Sequence, residues 1–214
     1  MKKFILLLSL LSLVLFANAQ EHFKEVVVAK YNHSKGENDV KVFYKFSNVE
    51  IPPYNDNDTI ILSIYNIDTF IKSLEFMKEK LEEWSKVAIE NNVTNIDKNI
   101  DIATGIGSIT IKSEGIEYTS DNEVKIKFSS TSNKGIITYN IFISAMGLKS
   151  LQKKPFPPKF EYVLLTGGAL WFNSVGQIDT LIEAMKLAKE KIKQNENAQK
   201  EYLEKKKNTD DLFK

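Results

Sequence analysis

The chain reads as an α+β protein: mostly antiparallel β-sheet carrying two amphipathic helices, arranged as two pseudo-repeats of strands followed by one helix. Three ordered anchors carry that reading. Glu37–Ser47 returns as Asp121–Ser129 with two residues fewer, and Pro52-Pro53 returns as Pro157-Pro158. Ile67–Leu81 then returns without a gap as Ile178–Ile192, with seven of the fifteen positions identical. Self-similarity of this kind is what a duplicated supersecondary unit leaves in a sequence.

The first nineteen residues form a leader. Lys2 and Lys3 precede an apolar run from Phe4 to Phe16, and Ala17-Asn18-Ala19 gives the small-x-small pattern of a signal-peptidase site. The run is too short for a spanning helix. Cleavage would start the mature chain at Gln20, and no cysteine follows that could take a lipid. The expectation is therefore a soluble secreted or periplasmic protein, not a lipoprotein.

Val26–Tyr31 is expected to be the first strand, and Val40-Lys41-Val42 opens a second with period-two alternation. Ile51-Pro52-Pro53-Tyr54 forms a stiff connector before a strand at Ile60–Tyr65. Ile67, Phe70, Ile71, Leu74, Met77, Leu81 and Trp84 recur at three- and four-residue steps, one apolar stripe of a helix. Strands follow at Ile106–Lys112 and Ile116–Tyr118. Asp121-Asn122 is turn chemistry, and Val124-Lys125-Ile126-Lys127-Phe128 alternates again. Ile136–Ser144 reads as an inserted strand and Phe160–Leu165 as another, with Gly167-Gly168 a bend before Trp171. Ile178, Leu181, Ile182, Met185, Ala188 and Ile192 make the second stripe, after which Lys, Glu and Gln dominate through Lys207 and the helix projects into solvent or frays. Asp68 and Asp179 would cap exposed N–H groups or favour the helix dipole. The units divide as 20–100 and 101–206, with a polar tail at 207–214, and the repeats are expected to form one domain with both helices on one side.

Composition removes several chemistries. All 29 basic residues are lysine and there is no cysteine, so bidentate arginine clamps, thiol nucleophiles and thiolate metal sites are absent. The processed chain balances 27 Lys against 28 acidic residues, so bulk charge does not draw nucleic acid. His22 and His33 are the only imidazoles. Neither has a triad or metal motif beside it, and His33 falls in the polar turn-like run Tyr31–Gly36. Asn55-Asp56-Asn57-Asp58 departs from a calcium loop at Ile60 and Ile61, and Gly105-Ile106-Gly107 lacks the third glycine of a dinucleotide fingerprint. Glu75, Glu79, Glu82 and Glu83 among lysines describe a solvated helix face. Sequons at Asn32, Asn57 and Asn92 matter only in a eukaryotic secretory pathway.

What remains is surface suited to binding. Lys154–Phe160 combines preset backbone with basic and aromatic side chains, and Tyr54 stands in its shorter counterpart. Tyr54, Phe156 and Lys159 are the candidate loop contacts. Lys41, Lys45, Lys125 and Lys127 are candidates on an open sheet face. The resulting expectation is a non-enzymatic exported binding protein with an extracytoplasmic protein or glycan partner, no cofactor, no membrane span after cleavage, and a capacity to form homo-oligomers. The alternative is a cofactor-free hydrolase using carboxylates in the groove between repeats.

Overall fold

In the computed structural model, residues 25–53, 58–100, 109–113, 116–120, 124–145, 148–150, 162–163 and 170–211 are described. Twelve strands and two long helices are seen there, and every strand pairing is antiparallel. Residues 1–19, expected from sequence to be a leader, lie outside the described residues, as do Asn55–Asn57, Gly105-Ile106-Gly107, Asp121-Asn122, Pro157-Pro158 and Gly167-Gly168.

The chain opens with strands β1 (Glu25–His33) and β2 (Gly36–Phe43), a hairpin closing on the pair His33 and Gly36. Strand β3 (Asn48–Ile51) follows, its residues alternating half-buried and buried because Val49 and Ile51 face the core. After β4 (Asp58–Ser63) and a 3-10 turn comes helix α1 (Ile67–Glu90). Strand β5 (Asp97–Ile100) leads to β6 (Ile109–Ser113), β7 (Ile116–Ser120), β8 (Val124–Asn133) and β9 (Ile136–Ala145). Short strands β10 (Leu148–Ser150), β11 (Tyr162–Val163) and β12 (Leu170–Phe172) precede helix α2 (Val175–Asp211).

Two sheets result. One has eight strands in the order β1-β2-β3-β4-β6-β7-β10-β11, and the other four in the order β12-β9-β8-β5. Strand pairing runs across residue 100. β5 lies before that point yet pairs with β8, whereas β6 lies after it and pairs with β4. The long β8–β9 hairpin keeps register over ten pairs and turns at Lys134-Gly135, both at positive φ. A two-residue loop of that conformation matches the strand twist, and glycine takes it without a Cβ penalty.

Both stripes expected of the helices are buried, except that Trp84 at the end of the α1 stripe is only partly so. Ile67, Phe70, Ile71, Ser73, Leu74, Met77 and Leu81 of α1 match, at one constant sequence offset, Ile178, Leu181, Ile182, Ala184, Met185, Ala188 and Ile192 of α2. The one polar member, Ser73, donates its hydroxyl to the Thr69 carbonyl at 3.0 Å. Helix α2 lies across β1 and β2 of the eight-stranded sheet, and α1 lies against β9 of the four-stranded one. The helices also pack on each other, so the buried residues of both sheets and both helices form one core. Each sheet is thus met by the helix that follows the other set of strands, rather than both helices lying on one sheet.

Neither Asp68 nor Asp179 acts as a cap, although Asp68 stands in the first turn of α1, where its charge favours the helix dipole. Helix α1 has no side-chain cap bond, and α2 begins at Val175, placing Asp179 beyond its first turn. Both aspartates instead form interhelical ion pairs: Asp179 with Lys78 at 2.7 Å, and Asp68 with Lys189. Beyond Ile192, α2 continues unbroken to Asp211, with residues 201–208 exposed. Among the described residues no helix is long and apolar enough to cross a membrane.

Candidate functional site

The candidate contacts from sequence do not converge. Tyr54, Phe156 and Lys159 lie outside the described residues, as does the side chain of Lys125. Lys41 sits on β2 and binds Glu25 of β1, whose carboxylate holds the Lys41 ammonium above its usual range through that hydrogen bond. Lys127 sits on β8 and binds Asp97 of β5. Lys45 lies in the 3-10 turn after β2, its ammonium 5.3 Å from the Phe46 ring centroid. Lys41 and Lys127 therefore belong to different sheets, and cross-strand carboxylates offset both charges.

The segment around His33 is ordered differently from a solvated turn. His33 ends β1 with 7% exposure, packs at 5.8 Å from the Tyr31 ring, and accepts from the Lys35 amide at Nδ1. Tyr31 is 1% exposed and donates its hydroxyl to the Pro52 carbonyl. Asn38 Nδ2 donates to the same carbonyl at 3.1 Å and to that of Pro53 at 2.8 Å. The Pro-Pro connector is therefore held from below by two side chains of the first hairpin. Burial pushes the Tyr31 phenol well above its ordinary range.

An aromatic stack anchors α1 to the second sheet. Trp84 meets Phe128 edge-on at 5.5 Å, and Phe128 stacks on Tyr139 at 6.0 Å. Lys98 from β5 covers the Trp84 ring at 4.6 Å, and the Tyr139 hydroxyl donates to the Val93 carbonyl at 2.8 Å. The Tyr139 hydroxyl and the Lys98 ammonium are thus both engaged within the cluster.

Open grooves are present among the described residues, two of them against α2. One, of about 600 Å³, lies between the end of α1, the start of β9 and the N-terminus of α2. The other, of about 550 Å³, runs between β1 and α2 and is lined by Ala29, Lys30, Asp179, Thr180, Glu183, Ala184, Lys186, Leu187 and Glu190. Among the described residues β1 is the edge of its sheet, with β2 its one ladder partner. At the closed end the Asn32 amide donates to Thr180 Oγ1 at 2.9 Å and the Ser34 amide to the Trp171 carbonyl at 3.2 Å. Since Asn32 N–H points away from β2, strand alternation turns Lys30 N–H the same way, toward the groove.

The charges along this groove are largely paired: Lys30 with Glu37, Asp179 with Lys78, and Glu183 with Lys186. Lys30 and Lys186 are held above the usual lysine range by their carboxylate hydrogen bonds. Sequence reasoning did not reach this site, although Asp179-Thr180 repeats Asp68-Thr69 and was available as a signal. Among the described residues no group of three or more His, Asp or Glu side chains is placed to hold a metal ion. No protein-family model, curated protein or solved structure matches the chain.

Proposed function

We propose that the protein is an exported, non-enzymatic binding protein whose β1–α2 groove takes an extended polypeptide segment of a partner. The edge of β1 facing that groove carries the reading. An extended strand laid beside it would add main-chain hydrogen bonds at Lys30 while α2 supplies a wall of mixed character, with Leu187 37% exposed among charged neighbours. Of the three carboxylates lining the groove, Asp179 and Glu183 are bound to lysines and Glu190 accepts from Gln194, which favours their use as charged lining. The leader, with its basic head and small-residue end, supports a site of action beyond the cytoplasm.

The test is capture from a mixed pool of extended heptapeptides by residues 20–214, read by mass spectrometry of the retained fraction. Retention should fall in Leu187→Asp, which puts an unpaired charge into the wall, and in Lys30→Pro, which removes the strand-edge donor. No retained peptide, or retention indifferent to both substitutions, would overturn the proposal.

A further inference from the structure

We infer that the α1–α2 seam is a self-complementary interface, the twofold contact of a meander–helix unit whose partner is the second copy of that unit within the same chain. The inference is independent of what the β1–α2 groove holds.

Two interhelical ion pairs cross the seam, Lys78 with Asp179 and Lys189 with Asp68. In the gapless alignment of the helices, Lys78 corresponds to Lys189 and Asp68 to Asp179. The two bridges are therefore one contact seen twice, with donor and acceptor exchanged. That reciprocity, residue i touching j while j touches i, defines an isologous interface and has no reason to arise between unrelated helices. The core repeats the relation, since each buried position of α1 from Ile67 to Leu81 has a buried counterpart on α2 at the same offset.

Strand order extends the correspondence beyond the helices. β1-β2-β3-β4 are consecutive neighbours in one sheet, and α1 follows them; β5-β8-β9-β12 are consecutive neighbours in the other, and α2 follows them. The β6–β7 pair and the β10–β11 pair then stand as additions to the second unit, which extend the first unit's sheet from β4. Each helix has crossed to the other unit, α2 onto β1 and β2, α1 onto β9. This is the geometry of an exchanged dimer whose two subunits have become one polypeptide.

Equivalence of the helices is testable in the full chain. Replacing Ile67–Leu81 by the sequence of Ile178–Ile192 should leave a cooperatively folded monomer of lowered stability, because both bridging residues are kept and every core position stays apolar, with volume lost at Phe70→Leu and Met77→Ala. The same segment inserted one residue out of phase should lose its denaturation transition. A transplant no better than the shifted control would overturn the inference. A second set of variants avoids core repacking. Asp68→Lys with Lys78→Asp, and Asp179→Lys with Lys189→Asp, each set like charges against like across both bridges. Both double variants should lower the urea midpoint by similar amounts, about 0.5 M, and the quadruple variant should regain it. Unequal losses, or no recovery in the quadruple variant, would overturn the inference as well.

Discussion

Tyr31→Phe should change the pH dependence of stability more than its value at neutrality. The phenol is 1% exposed and donates to the Pro52 carbonyl, which keeps a second donor in Asn38 at 3.1 Å. Removing the hydroxyl therefore leaves no orphaned acceptor, and the cost at pH 7 is about 1 kcal/mol, the net worth of one hydrogen bond. In urea this is a midpoint shift of about 0.4 M. Burial raises the folded-state pKa of Tyr31 well above the unfolded value. The group's contribution is thus complete below the unfolded pKa and is lost as pH rises from there toward the folded one. At pH 11 an unfolded phenol of ordinary pKa gains about 1.4 kcal/mol by ionising, which the folded state cannot match. The phenylalanine variant escapes that loss, while lysines and the other tyrosines titrate alike in both proteins. Urea denaturation followed by tryptophan fluorescence should show the variant less stable at pH 7 and level with, or above, the parent at pH 11. A deficit at pH 11 as large as that at pH 7 would refute the assignment of Tyr31 as a neutral, buried donor.

Leu181→Ala, at a fully buried site of α2, should cost about 3 kcal/mol and lower hydrogen-exchange protection in β1 and β2. Protection lost only in the four-stranded sheet would contradict the observed crossing of the helix. Gly135→Ala forces a Cβ into φ +82° at the β8–β9 turn and should cost about 1 kcal/mol, read as a lower urea midpoint with unchanged slope. Lys189 hydrogen-bonds Asp68 and holds its carboxyl below the usual range, so this contribution is present above the unfolded pKa and lost as pH falls through the folded one. Because Asp68 is solvent-exposed, Asp68→Asn should flatten the acid limb of the stability curve only slightly, and 1 M salt should erase the difference.

The helices and the β8–β9 region were legible because their periodicity is local: a stripe at three- and four-residue steps, and Val124 to Phe128 alternating at two. Strand β5 was not, since Asp97-Lys98-Asn99-Ile100 has one apolar residue and owes its conformation to the ladder with Lys127 and its neighbours. The division into two sheets was equally hidden, because which strand lies beside β4 is settled by long-range pairing. β3 carried a readable alternation in Asn48-Val49-Glu50-Ile51 that the adjacent Pro-Pro pair obscured. His33 shows the limit of composition: Asn32 to Gly36 is polar and turn-like, yet the last strand position turns its ring inward. For the candidate site, lysine spacing indicated a sheet face, but the carboxylates Glu25 and Asp97 that meet those lysines come from other strands. The groove beside β1 depends on a helix some 150 residues away in sequence, and no local pattern announces it.

The crossing of the helices also sets a timetable. The face of β1 and β2 that α2 covers stays open until residue Ile192 has been made, although those strands are among the earliest described residues of the chain. At ordinary translation rates the interval is roughly 8–30 s. For that time the nascent chain holds an incomplete core that a chaperone can grip. Completion of α2, rather than of the first sheet, is what closes the core over β1 and β2.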